Sequence, residues 1–320
     1  MFIYDKGIRI TGSALTLDAR VHTEACCITH AHMDHLRSHR HIFATPATID
    51  FIKRRLGSIR SAPIKFHEPF QFEDCTVTFL PAGHILGSAQ VLVERQGRRL
   101  LYSGDFKTGA SATAEPLAYT NCDVLIMECT FGHPHYRFPQ REELVQRLCA
   151  WAAQTMDEGN VPVVYGYTLG KAQEAMKILA DNGFALCAHG SIMRLLEVYK
   201  AEGIEFGNIE PFHAMSSLQG RVLILPPQSR GTRQVERITN KKTMYLSGWA
   251  IDAGARFRFG VDEALPLSDH SDFDGLIEYV RRIRPQKIFT THGPPKFAAH
   301  LRALGFDAEP LQPGRQRELF

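Results

Sequence analysis

Residues 30–35 read His-Ala-His-Met-Asp-His, directly after the apolar run Cys26-Cys27-Ile28 and Thr29. Three imidazoles and a carboxylate within six positions are a dense set of nitrogen and oxygen donors, the kind that suits zinc or a similar divalent ion. A chance His-x-His-x-Asp-His is expected on the order of 0.002 times in a chain of this composition, so the run is not incidental. Four donors at one strand end can serve two metals, which would need further ligands from elsewhere. Three candidates each follow an apolar run: His84 in PAGHILGSA, Asp105 in YSGDFK and His292 in FTTHGPP. Taken singly they have ordinary readings, a structural or surface histidine for His84 and a turn residue for Asp105.

The elements that must carry these donors are legible in outline. IRITG, ALTLDA, CCITHAH, TVTFLPAGH, VLVERQ and RRLLYSGD read as strands, so the first third is expected to be strands and turns with polar chemistry at strand ends. Between residues 140 and 200 the period changes. REELVQRLCAWAAQTMDEG and KAQEAMKILADNG read as helices closing on glycine, around a buried strand VPVVYGY. Strand-like RVLILPP and KTMYLSGW, the helix FDGLIEYVRRI and the strand KIFTTHG follow. This is an α/β chain. Both ends are expected to build one domain, 1–135 with 266–320, around an α/β insertion at 136–265. No internal repeat or low-complexity segment is visible.

In order and spacing, these motifs resemble the metallo-β-lactamase nucleases with a β-CASP insertion, from about residue 10 to residue 295. Asp18 in LTLDA matches the first motif and His30, His32, Asp34 and His35 the second. His84 and Asp105 match the third and fourth. Glu128 in MECTFG, His270 in LSDHSD and His292 in THGPP match the three additional motifs, and TLGKAQEA and YLSGWA resemble further β-CASP hallmarks. The resemblance implies a four-layer αββα fold with the α/β β-CASP unit inserted. It implies two divalent ions, Zn2+ or Mn2+. One would be held by His30, His32, His84 and Asp105, the other by Asp34, His35, His292 and a shared Asp105, with Asp18 orienting the histidines from behind. Two such ions about 3.5 to 4 Å apart acidify a bridging water and steady the charge of an in-line phosphorane. His270, oriented by Glu128, is then the natural proton donor to the leaving oxygen, with Asp34 as a further member of the catalytic set. A helix-capping role for His270 and a structural ion pair for Glu128 are the plainer alternatives.

Composition sets outer limits. Hydrophobic residues make up 44% of the 320, and 37 Lys and Arg against 34 Asp and Glu give a formal charge of +3, which permits a nucleic-acid partner without requiring one. Seven cysteines with no CxxC pair argue against a disulfide framework. No run reaches the roughly 18 apolar residues of a membrane span, and a cytoplasmic protein with no membrane partner is expected. GYTLGKA at 166–172 fails as a Walker loop, although a helix starting there could offer Lys171 to a phosphate. Arg54, Arg55, Arg60, Lys241 and Lys242 are candidate strand contacts or solvated faces.

The inserted unit favours a polymer substrate. The overall pattern resembles the bacterial ligase-associated DNA exonucleases implicated in repair, which implies DNA as substrate and a DNA-repair ligase or helicase as possible partner. RNA processing is the alternative, because His292 stands where the RNA-processing members usually have His and the crosslink-repair DNases usually have Val. Hydrolysis of a small ester, lactam or thioester, and a non-catalytic scaffold, are the remaining readings.

Overall fold

The computed structural model describes residues 1–213, 217–314 and 316–317. Residues 214–216, within the expected 136–265 insertion, and 315 and 318–320, within the expected 266–320 segment, lie outside the described residues. The chain divides into two compact units, one formed by Met1–Gly109, Ala114–Arg137 and His270–Phe320, the other by Ala110–Thr113 and Phe138–Asp269.

The first unit contains two seven-stranded sheets. In the first sheet the strands run in the order Gln316–Arg317, Phe2–Tyr4, Ile8–Ile10, Leu15–Leu17, Ala25–Cys27, His41–Ala44 and Ser61–Pro63. In the second the order is Ala308–Pro310, Lys287–Thr291, Val124–Glu128, Arg98–Tyr102, Ala89–Arg95, Cys75–Pro81 and Phe70–Phe72. Rings from the two sheets meet edge to face, Phe2 against Phe289 at 5.2 Å, and stacked, Phe43 against Phe70 at 5.0 Å. The two-residue alternation of the second sheet then does its work. Leu80, Leu92, Leu101, Leu125, Met127 and Ile288 turn to the opposite face, where they pack with Phe273, Leu276, Val280 and Ile283 of the helix Phe273–Ile283 and with Phe297 and Leu301 of Lys296–Ala303. Asp272 starts the first of these helices by accepting from the Gly275 amide at 2.8 Å. On the first sheet, the helix Pro46–Leu56 joins two neighbouring parallel strands and buries Phe51 and Ile52 completely. The layering is α, β, β, α. Pro46–Leu56 departs from the expected run of strands and turns, and its start signals are local: Thr45 as N-cap and Pro46 in the first turn.

The second unit is a six-stranded sheet, parallel throughout, in the order Ile209–Pro211, Ala185–Ala188, Arg221–Leu225, Val161–Tyr165, Lys241–Leu246 and Glu263–Leu265. Its central strand Val161–Tyr165 is buried on both faces, as parallel strands are when connections cover both sides. The helix Lys171–Asp181 buries Ala172, Ala175, Met176 and Leu179, one stripe of a 3.6-residue period. Among the described residues no helix is long and apolar enough to cross a membrane.

Candidate active site

In the first unit, the chemistry-bearing residues leave the carboxyl ends of parallel strands. Leu15–Leu17 and Ala25–Cys27 run parallel and release Asp18 and the 30–35 loop. Arg98–Tyr102, Val124–Glu128 and Lys287–Thr291 also run parallel, with Glu128 opposite Thr291, and release Asp105, Glu128 and His292. Strand ends concentrate such residues because the backbone there no longer needs its ladder bonds and the side chains converge over one edge. Asp18 and His292 sit at φ +43° and +48°, left-handed conformations that few non-glycine residues adopt and that cost of order 1–3 kcal/mol each. Gly104, at φ +54°, brings the chain against Thr29 so closely that a Cβ there would lie 2.8 Å from the Thr29 Cβ, which sets Asp105 beside the histidine loop.

Four of the donors form one group, His30, His32, His84 and Asp105, with ligand-capable atoms all within 4.8 Å of one another. The His30 Nε2 and His84 Nε2 atoms lie 3.6 and 3.9 Å from Asp105 Oδ2, and His84 Nε2 is 3.0 Å from His32 Nδ1. A second group, His35, Asp105 and His292, shares Asp105. Here His35 Nε2 is 3.5 Å from Asp105 Oδ2 and His292 Nδ1 is 3.7 Å from Asp105 Oδ1. Behind them Asp18 organises two rings. Its Oδ2 takes the His35 Nδ1–H at 2.8 Å and the Thr29 hydroxyl at 2.7 Å, and its Oδ1 takes the Thr29 amide at 2.9 Å. With the Thr29 proton committed to Asp18, the His30 Nδ1–H at 3.0 Å is the donor to the Thr29 oxygen. Both rings are thereby turned with Nε2 toward Asp105.

The cluster's buried polar atoms test whether a cation fits. His30 Nε2, His35 Nε2 and Asp105 Oδ1 are buried and have no hydrogen-bond partner. Each such orphan costs roughly 1–3 kcal/mol in a protein that offers it nothing, and divalent ions with nitrogen and oxygen ligands at the two groups would satisfy all three. The electrostatics agree. Burial pushes the His35 imidazole down, but the Asp105 and Asp18 carboxylates outweigh it and hold it well above the usual histidine range. His30 is driven well below that range by burial, then by the neighbouring His35 and His84 rings. Burial would raise Asp105, yet His35 and then His292 hold it well below the usual carboxylate range. The pocket favours positive charge at this point, and the His/Asp cluster suits divalent metals.

Beside the cluster, His270 Nδ1 donates to Glu128 Oε1 at 2.8 Å, and the His270 ring lies 4.6 Å from that of His84. Glu128 is 1% exposed, and its carboxylate also accepts from the Phe106 amide at 3.3 Å and from the Thr130 amide and hydroxyl at 2.8 and 2.6 Å. Ser271 is zipped to the chain after Asp105: its amide donates to the Phe106 carbonyl at 2.9 Å and its hydroxyl accepts from the Thr108 amide at 2.9 Å. That zipper carries His270 to the Asp105 side of the site.

Asp34 belongs to neither donor group. It is exposed, its Oδ2 3.9 Å from His35 Nε2, and it lines a cavity of about 290 Å³ together with Asp18, Arg20, His35 and His292. Lys171 is not available to a phosphate as the sequence suggested. It is 6% exposed, ion-paired to Asp269, with its Nζ 5.0 Å from the centre of the Tyr167 ring. Of the basic clusters, Arg55 donates to the Ala31 carbonyl at 3.0 Å and so steadies the histidine loop, while Lys241 and Lys242 face Glu236 and Glu158. Sequence reading passed over Thr29, Thr130 and Arg20. The two threonines directly precede His30 or lie two after Glu128, a weak signal. For Arg20, whose Nη2 is 3.3 Å from His292 Nε2, the sequence carried none.

Comparison with known proteins adds names to this geometry. A β-lactamase superfamily domain matches residues 12–181, and a Zn-dependent metallo-hydrolase RNA specificity domain matches residues 256–310. The chain is 37% identical over 99% of its length to a protein of Opitutus terrae named "Probable DNA ligase", of which it spans 31%. It is 23% identical over 88% of its length to an RNase J-like protein of Methanocaldococcus jannaschii, spanning 84% of that protein. It is also 23% identical over 88% of its length to the DNA cross-link repair protein SNM1 of Arabidopsis thaliana, spanning 65% of that one.

Proposed function

Because this chain belongs to the β-lactamase superfamily, in its metallo-β-lactamase branch with a β-CASP unit, we propose that it is a metal-dependent nuclease hydrolysing DNA phosphodiester bonds as a repair exonuclease. The observation that carries this reading is the convergence of two donor groups on Asp105 beside the His270–Glu128 pair. The names of the Opitutus and Arabidopsis relatives favour DNA. The chain resembles about a third of a longer protein named for DNA ligase, which supports a ligase as working partner. Residues 1–135 and 266–320 are taken as the metallo-β-lactamase domain and 136–265 as the β-CASP insertion.

His30, His32, His84 and Asp105 would hold one divalent ion, and Asp34, His35, His292 and the shared Asp105 a second, either Zn2+ or Mn2+. When bound, the ions supply positive charge against the phosphoryl oxygens and make a water nucleophilic near neutral pH. The protein's own residues do the rest. Asp18 and Thr29 fix the His35 and His30 tautomers so that each presents Nε2 without reorganisation. Glu128, immobilised by Thr130 and the Phe106 amide, holds His270 through Nδ1 and stabilises its protonated form. His270 then passes a proton from Nε2 to the leaving oxygen and is neutral at the end of the step.

An RNA-processing ribonuclease is the second reading, favoured by the RNA specificity domain match and the RNase J-like relative. The deciding experiment is digestion of end-labelled single-stranded DNA and RNA of one sequence with zinc or manganese, with Asp105→Ala as blank. Mononucleotides from DNA, absent in the blank, are expected. Selective cleavage of RNA would move the assignment to RNA processing, and no cleavage of either would sink both.

A further inference from the structure

One positive group at the cavity is unexplained by metal binding. The Arg20 amide donates to the Lys6 carbonyl at 2.6 Å, and Gly7, at φ +143°, lies so close to Ala19 that a Cβ there would stand 2.5 Å from the Ala19 Cα. The turn at residues 5–7 and the turn after Leu15–Leu17 are thus locked together. Both Lys6 and Arg20 are exposed and line the cavity of about 290 Å³ that Asp34, His35 and His292 also line. From this position Arg20 Nη2 reaches His292 Nε2 at 3.3 Å.

A guanidinium only donates, so His292 Nε2 is the acceptor and its lone pair is committed to Arg20. With Nε2 accepting, the ring proton is on Nδ1, the nitrogen that lies 3.7 Å from Asp105 Oδ1, and a divalent ion bound through Nδ1 requires the other tautomer, with the proton on Nε2. In that tautomer Arg20 loses its acceptor, while its backbone, tied to Lys6, keeps it at the cavity beside a dication. An anion with several oxygens, one facing the metal and another the guanidinium, satisfies both cations, and a tetrahedral phosphate has that form. Asp5, Asp18 and Asp34 line the same cavity as Lys6 and Arg20, so without metal its carboxylates offset the two cations and an anion gains little there.

We propose that Arg20, with Lys6 on the same wall, is a metal-dependent phosphate clamp that binds a phosphate group of the nucleic-acid strand next to the donor cluster. The inference rests on the phosphodiesterase reading of this site and adds a substrate-binding residue to it.

The test is calorimetric titration of inorganic phosphate into zinc-loaded wild-type protein, Arg20→Gln and Arg20→Lys, with zinc affinity followed separately by chelator competition. The expected result is phosphate binding ~10- to 100-fold weaker in Arg20→Gln, as for loss of a charged hydrogen bond, and largely retained in Arg20→Lys. Zinc affinity in Arg20→Gln should be equal to wild type or tighter, because the contact that favours the Nδ1–H tautomer of His292 is gone. Phosphate affinity unchanged in Arg20→Gln, or no phosphate binding by the zinc-loaded wild type, overturns the clamp. Phosphate binding needs no cleavage, so failure of the nuclease reading would show itself separately, in the digestion assay. Comparing kcat/KM on 5′-phosphorylated and 5′-hydroxyl DNA then identifies the phosphate. A loss in Arg20→Gln confined to the phosphorylated strand assigns the terminal phosphate, and an equal loss on both assigns an internal one. No loss on either counts against the proposal.

Discussion

Asp18 carries more of the site than its place outside the donor groups would suggest. One carboxylate fixes the His35 ring directly and the His30 ring through Thr29. Asp18→Asn keeps the size but replaces an acceptor by an amide donor facing Nδ1–H. Metal affinity should fall about 10- to 100-fold, measured by competition with a chelating dye. His270 is expected to behave differently, because it is held through Nδ1 by Glu128 and is proposed to pass a proton. His270→Ala is expected to lower the single-turnover cleavage rate about 10²- to 10⁴-fold with metal content unchanged. Glu128→Gln, which still offers an oxygen to Nδ1–H but no charge, should lose less. Equal losses in both variants would show that the Glu128 charge, and not only its oxygen, is indispensable.

At the scale of elements, the question is what aims each strand end. The turn after Lys287–Thr291 holds His292 at positive φ and is followed at once by Gly293, where a Cβ would lie 1.9 Å from the Cys129 carbonyl oxygen. Gly293→Ala must push Lys287–Thr291 away from Val124–Glu128 at the point where His292 and Glu128 emerge. A destabilisation of about 1–3 kcal/mol is expected, read from urea unfolding, with weakened metal binding. Gly190, the first residue of the helix Gly190–Ala201, meets nothing within 4 Å. Gly190→Ala should be neutral or slightly stabilising, so it separates a general intolerance of alanine from the particular contact. Three helices were legible in the sequence over their full length. REELVQRLCAWAAQTMD, KAQEAMKILAD and FDGLIEYVRRI each form helices over those residues. Pro46–Leu56 was not among them, because Ile49, Phe51 and Ile52 sit in a region whose neighbouring runs are β-rich, although Thr45 as N-cap and Pro46 in the first turn are local start signals.

At the scale of the molecule, the donor cluster ties together chain positions 30–35, 84, 105 and 292, which belong to both sheets of the first unit. An ion that binds only the folded arrangement stabilises it by mass action, roughly 2.7 kcal/mol at a hundredfold excess over Kd. Chelation is therefore expected to lower the melting temperature. In hydrogen exchange, protection should be lost first in the 30–35, 84–88 and 291–293 segments, and not in the six-stranded sheet of the second unit. Uniform loss across both units would show that the ion acts through something wider than its ligands.

The six-residue run HAHMDH determined by itself that this protein has a metal-type donor set, because chain connectivity alone keeps residues that close in sequence close in space. Period and glycine stop signals likewise located the helices Arg141–Asp157, Lys171–Asp181 and Phe273–Ile283 and part of the strands, but not Pro46–Leu56, Gly190–Ala201 or Lys296–Ala303. Which distant residues meet that run was decided only by the tertiary structure. The parallel registers that place Glu128 opposite Thr291 and Tyr102 opposite Ile126, and the packing of one sheet on the other, bring Asp105 and His292, 187 residues apart in the chain, together beside His35. The same packing makes Asp18 the support of two histidines and leaves Asp34 at the exposed rim. It also sets Arg20 against His292, a contact between residues 272 positions apart that no local pattern could announce, since sheet pairing and packing are long-range choices.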